Sequence, residues 1–315
     1  MEVLAGPPGD FETTLDEPAD PLKDNDFHLA LYLCYEMSYR GLPGVDDRWE
    51  WEPSFVRFRG RLETIFESAL RAVVPTEFPG DSIPDQLRAL ADSDTGPSLS
   101  GYMLDEATLE QFEEFVIHRS AYHLKEADPH SWAIPRLTGK TKAAFIEIQN
   151  DEYGAGSWAR MHSELFTRLM RSLGLDATYG AYLDVIPGVT LATVNLMSLF
   201  GLHRRLRGSV VGHLALFEMT STIPNGRYGD GLRRLSETAD TRFFREHVEA
   251  DAVHEQIAAH DLAGNLAAED PAMKADILFG AAALLHLDAL FAEHLLDAWN
   301  VGSSALLARS ASNVV

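Results

Sequence analysis

The sequence predicts a single all-α bundle, and three observations carry that prediction. From Leu104 onward, segments with apolar residues at three- and four-residue spacing follow one another with little between them. No run shows the two-residue alternation of a half-buried strand. The chain of 315 residues, 46% hydrophobic and 23% charged, can bury one large core, and no tandem repeat or low-complexity tract divides it.

In chain order, residues 1–25 are acidic and proline-bearing, unlike a signal peptide, and are expected to be disordered or loosely packed. The bundle is expected over residues 26–300, with a tail at 301–315. Residues 27–41 read as an apolar helix ended by Gly41, Pro43 and Gly44, and residues 52–74 as a second, amphipathic one. A long connection follows, with one short helix expected around QLRALA. Helical periodicity then recurs over 105–127, 138–154, 157–175, 188–203, 204–222, 237–260 and 271–299.

Charge narrows the partners. A formal net charge of −22 argues against nucleic acid or an anionic membrane, both of which need a basic face. Cys34 is the one cysteine, so no disulfide can form within the chain and no thiolate metal site is available. That suits a reducing cytoplasm. The most apolar stretch, residues 277–291, is interrupted by His286 and Asp288 and is shorter than the ~20 residues of a membrane span. It is expected to be a core helix.

One short stretch, FFREHVEADAVHEQI at 243–257, places His247, Asp251 and His254 at spacings of four and three. On an α-helix all three share one face over roughly two turns. Such a stripe can offer a metal several ligands at once; it can also be a solvated polar face. Other segments set acids in apolar or constrained surroundings. Glu218 lies among Leu214, Leu216, Phe217 and Met219, where a carboxylate is costly unless paired or metal-bound. Glu152 precedes Gly154 and Gly156, and His162 follows ten residues on. A straight helix would hold those two about 15 Å apart, so a shared site requires the helix to break at the glycines. Glu126 ends a helical stretch just before Asp128–Pro129. Carboxylates and histidines on facing helices are what a dinuclear site inside a bundle needs.

Together these residues resemble the haem-oxygenase-like di-iron oxidases and oxygenases, an iron-containing redox enzyme family, over about residues 104–299. The resemblance implies a haem-oxygenase-like helical bundle that holds two non-haem irons and no haem. The family's ordered pattern is a Glu, a Glu with a His ten residues on, a distant Glu, and a closing His-x3-Asp-x2-His. It falls here on Glu126, Glu152, His162, Glu218, His247, Asp251 and His254, all within 104–260, with Glu114 the substitute for Glu126. No catalytic residue beyond these ligands is expected. Oxygen and imidazole donors suit iron cycling between Fe2+ and Fe3+, and manganese would fit the same set.

The implied activity is O2-dependent oxidation of a small organic substrate such as an amino acid, an amine or a fatty acid. N-oxygenation, desaturation and C–C cleavage are the branches. No flavin or dinucleotide fingerprint is present, so electrons would come from a separate donor or from the substrate. A ferritin-like protein that oxidises iron without an organic substrate is the alternative. A homodimer is the default expectation. Arg119, Arg136, Lys140 and Lys142 are the cations that could receive a substrate carboxylate, against ion pairing with surface acids. His118, His123, His213, His286 and His294 are read as structural background.

Overall fold

The computed structural model describes residues 2–11, 16–93, 96 and 98–309, with the side chains at 2, 3, 251 and 252 outside that description. Every regular element among the described residues is a helix, as the periodicity predicts. Helix α1 (Asn25–Glu36) starts where the Asp24 carboxylate accepts from the Phe27 amide. Helix α2 (Pro53–Val73) opens on Pro53, where no backbone donor is needed. The long connection carries two short helices, α3 (Ile83–Asp92) and α4 (Leu99–Asp105). Helix α5 (Leu109–His123) is fixed at its start by a reciprocal cap between Thr108 and Gln111.

One turn of helix, α6 (Asp128–Ser131), precedes α7 (Gly139–Glu152), α8 (His162–Ser172) and α9 (Gly188–Leu202). Helix α9 is buried on all sides from Gly188 to Gly201 and forms the centre of the core. Helices α10 (Arg207–Leu235) and α11 (Arg242–Gln256) follow. Helix α11 runs directly into a π-helix, Ile257–Gly264, and the chain closes with α12 (Asn265–Glu269) and α13 (Lys274–Asn300).

One of these helices exceeds its sequence reading. Helical periodicity is read over 204–222, yet α10 continues through Pro224 to Leu235. Pro224 cannot donate one backbone hydrogen bond. Near it the Ser221 hydroxyl donates to the Glu218 carbonyl at 3.2 Å and the Thr220 hydroxyl to the Leu216 carbonyl at 2.8 Å. The closing helix, α13, lies close to its expected span of 271–299. Counted from Pro271 to Asn300 it is long and apolar enough, by length and composition alone, to cross a membrane, but 61% of its most apolar stretch is buried in the bundle. It crosses α10 at close range: side chains at Gly212 or Gly280 would collide with the Ile277 and Ser209 carbonyls respectively.

Both ends of the chain are tied to the bundle. The Trp49 indole donates to the Gly6 carbonyl at 3.0 Å, and the Phe11 ring meets Trp49 edge-on. Beyond α13, the Leu307 amide donates to the Val185 carbonyl at 2.8 Å.

Candidate metal centre

The predicted break between Glu152 and His162 is present. Helix α7 ends at Glu152, and Gly154, Ala155 and Gly156 all take positive φ (64°, 52° and 80°) before α8 begins at His162. A Cβ on Gly154 would stand 2.6 Å from the Arg160 carbonyl carbon, so the turn closes only around glycine. Reversing the chain brings His162 Nδ1 to 3.0 Å from Glu152 Oε2. On one straight helix that contact is out of reach.

Glu126 arrives from a turn between α5 and α6, completed by Ala127 in the left-handed region at φ 73°. Its Oε1 accepts from His123 Nδ1 at 2.8 Å and lies 3.5 Å from His247 Nε2. On α11, His247 donates Nδ1–H to the Phe243 carbonyl one turn earlier, at 2.8 Å. That bond fixes the tautomer and turns the Nε2 lone pair inward, the arrangement of a histidine ready to ligate. The His162 and His247 rings lie 4.3 Å apart. Two turns along α11, His254 directs Nδ1 to Glu218 at 3.2 Å and Nε2 to Asp151 at 3.1 Å.

These side chains form two buried groups whose donor atoms converge within 4.8 Å. One comprises Glu126, Glu152, His162 and His247; the other comprises Glu152, Glu218 and His254. Glu152 belongs to both. Asp251 lies on α11 between the two histidines of the stripe, and its side chain is outside the described residues. Six of the seven sequence-predicted residues are thus brought together.

Glu114, the substitute for Glu126, is elsewhere. Its Oε2 accepts from the Trp299 indole and the Ala305 amide, both at 2.9 Å, fastening the end of α13. Two contributors went unread in the sequence. His123, taken as background, orients Glu126 from within the core, and its three-residue spacing to Glu126 was the available signal. Asp151, half-exposed, pairs with His254 and has no distinguishing flank.

Burial opposes charge on every one of these groups, and their neighbours decide the outcome. Burial raises the Glu126 carboxyl, but the His123 and His247 imidazoles outweigh it and hold the group well below the carboxylate range. His162 does the same for Glu152. Burial lowers His162, and Glu152 reverses the sign. For His254, burial is overcome by Glu218 and Asp151, which lift it to about 9. The residues fit a pair of metal ions on independent grounds. Glu126 Oε2 is buried without a hydrogen bond, which is costly for a group of this polarity. All donors are oxygen or imidazole nitrogen, a set that suits iron or manganese. Cys34 is no competitor, because burial pushes its thiol up to about 12.

A cavity of about 360 Å³ opens against one side of this cluster. His123 and His247 form its inner wall, Phe166, Phe217 and Phe243 its apolar sides, and Arg119 faces into it. The other cations raised by the sequence are placed differently: Arg136 donates to the Gly201 and Leu202 carbonyls at the end of α9, and Lys140 is exposed. Most background histidines lie away from the cluster: His118 bonds Thr190 through Nδ1 at 2.8 Å while its buried Nε2 has no hydrogen bond, His213 faces His130 at 3.1 Å, and the partly buried His294 donates to the Ala305 carbonyl.

A helical bundle enclosing paired carboxylate–histidine groups beside an organic-sized cavity defines a class: proteins that could hold metal ions next to a small molecule. The chain belongs to the iron-containing redox enzyme family, whose pattern it matches over residues 113–289. It is also similar to a nitrosourea synthase of Streptomyces achromogenes subsp. streptozoticus, 30% identical over 137 residues. That likeness covers 43% of this chain and 29% of the relative, so less than a third of the relative's length is matched.

Proposed function

We propose that this chain is a non-haem di-iron oxidoreductase that uses O2 to oxidise a small organic molecule. The observation that carries the reading is Glu152, a buried carboxylate common to two ligand groups. Glu126, His162 and His247 would hold one iron; Glu218 and His254, with Asp251 from the same face of α11, would hold the other; and Glu152 would serve both. Manganese fits the same donors. When bound, the metal pair supplies the electrons that reduce O2 and the oxidising power turned on the substrate.

The chain's own residues do the rest. Phe243 and His123 fix the orientation of His247 and Glu126, so their donor atoms face inward before any metal arrives. Phe166, Phe217 and Phe243 keep bulk water from the face on which a substrate would lie. A nitrosourea contains an N–O bond, so the relative's name supports N-oxygenation among the branches; desaturation and C–C cleavage use the same geometry. The aromatic cavity favours an organic substrate over ferritin-like iron oxidation. The setting we infer is cytoplasmic, with a separate electron donor, as a homodimer, and without nucleic acid or membrane.

The test is an anaerobic titration of metal-free protein with Fe(II), followed by a measured pulse of O2. Two irons per chain and rapid O2 consumption are expected. One iron or none at saturation would sink the di-iron reading. Asp251→Ala is expected to lower iron uptake, whereas Glu246→Ala, which removes only a surface pairing with Arg160, should leave it unchanged.

A further inference from the structure

The cavity is cationic inside an anionic protein. Among its described lining residues the charged side chains are Arg119, Arg227 and Asp288. Arg227 is engaged with the Ser98 and Ser100 hydroxyls, both at 3.3 Å. Arg119 has a different environment. Its guanidinium lies 4.5 Å from the centre of the Phe291 ring and 5.6 Å from that of Phe115, both buried rings, and Tyr228 is beside it. Among the described residues it forms no ion pair, although the chain carries 48 acids. Aromatic faces hold a guanidinium in place without neutralising it, and beyond the N–H that meets the Tyr228 hydroxyl, in a cavity that Asp288 also lines, the rest of its planar fork is left for an oxyanion.

Its position sets what such an anion would do. Arg119 and His123 are four residues apart on α5 and share a face, about 6 Å along the axis. His123 is the residue that orients Glu126. A group bound to Arg119 therefore lies one helical turn from the carboxylate–histidine cluster, across a stretch walled by Phe166, Phe217 and Phe243.

We propose that Arg119 anchors a carboxylate of the substrate, and that the apolar or uncharged part of the molecule, not its carboxylate, is what meets the metal-facing wall at His247. The substrate is then a small carboxylic acid held at one end by a charge-assisted, two-pronged contact. The cavity, at the small end of the range for ligand pockets, suits a molecule of that size. This assignment rests on the di-iron reading for its catalytic meaning, but binding at Arg119 requires no metal.

The experiment is titration calorimetry on full-length protein, metal-free and then iron-loaded without O2. The probes are matched pairs: hexanoate and hexylamine, benzoate and benzyl alcohol, L-lysine and cadaverine. At least one carboxylate is expected to bind metal-free wild type more tightly than its counterpart, by roughly 10- to 100-fold. Arg119→Leu should erase that preference while keeping wild-type iron stoichiometry. Should Arg119→Leu not fold, Arg119→Lys decides, since a point charge replaces the fork: a reduced preference supports the anchor and an undiminished one overturns it. The proposal is also overturned if no pair shows a preference, if the preference survives in Arg119→Leu, or if it appears only with iron loaded, which would put the carboxylate on the metal. Failure of wild type to take up iron would instead sink the di-iron reading and leave the metal-free comparison standing.

Discussion

At the scale of single residues, Glu152 and Glu126 make unequal demands. Glu152 belongs to both ligand groups and Glu126 to one. Glu152→Gln is expected to remove most bound iron, and Glu126→Gln to leave about one iron per chain; elemental analysis after anaerobic loading separates the two. A second residue-scale prediction concerns acid. His28 is buried as the neutral ring, Nε2–H donating to the Pro21 carbonyl at 2.9 Å and Nδ1 accepting from Asn195 at 3.2 Å. Burial pushes it down from 6.5 to about 4. The unfolded chain therefore binds the proton first, so the stabilisation is fully present above pH 6.5 and is lost as pH falls through 4. Urea unfolding between pH 7.5 and 4.5 should show this loss, and His28→Gln should lessen it by the share of this one ring, since burial also lowers His118, His130 and His213. All seven ligand candidates were named from the sequence: Glu218 by its apolar flanks, His247, Asp251 and His254 by their spacing, Glu152 and His162 by the glycines between them, and Glu126 by the family resemblance. Asp151 leaves no such mark. Choosing Glu126 over Glu114 required a contact with Trp299, 185 positions away, which no local pattern announces.

At the scale of elements, the turn between α7 and α8 carries the most information per residue. Gly154→Ala forces a Cβ into the Arg160 backbone as well as requiring a left-handed φ, and should cost about 3 kcal/mol together with iron retention. Gly156 has the same hand of φ but nothing near its missing Cβ, so Gly156→Ala should cost about 1 kcal/mol and keep its iron. Chemical denaturation with iron assays on both variants checks the contrast. Helix existence was readable from periodicity almost throughout, and glycines marked the break. The extension of α10 past Pro224 was not readable, because a proline inside a helical pattern reads as a stop, and the packing on α4, α11 and α13 that carries the helix through it is tertiary. Nor was the π-helix after α11. It begins at Ile257, three residues after His254, and packs beside α7 and α10, where π-turns commonly accommodate functional residues.

For the whole molecule, the two ligand groups tie together the α5–α6 turn, α7, α8, α10 and α11. Iron that binds the folded chain and not the unfolded one stabilises it by mass action, about 3 kcal/mol at a hundredfold excess over Kd. Chelation should therefore lower the melting temperature by several degrees, and Glu152→Gln should abolish the difference between chelated and iron-loaded protein; calorimetry in the two states reads both. The net charge of −22 and the lack of a cysteine pair were plain in the composition. The cavity was not, because its walls come from α4, α5, α8, α10, α11 and α13 and exist only after they assemble.

That shared carboxylate also sets a schedule for synthesis. A ribosome makes Glu126, Glu152 and His162 well before Glu218, and His254 last of all. Until α11 has left the exit tunnel, the early half offers two acids and one imidazole with no partners to complete either group. A nascent chain stalled at α10 should release iron freely, whereas one stalled beyond α13 should keep it. Metal loading then waits on the synthesis of α11, and a cell short of iron would accumulate folded, empty bundle rather than arrested fragments.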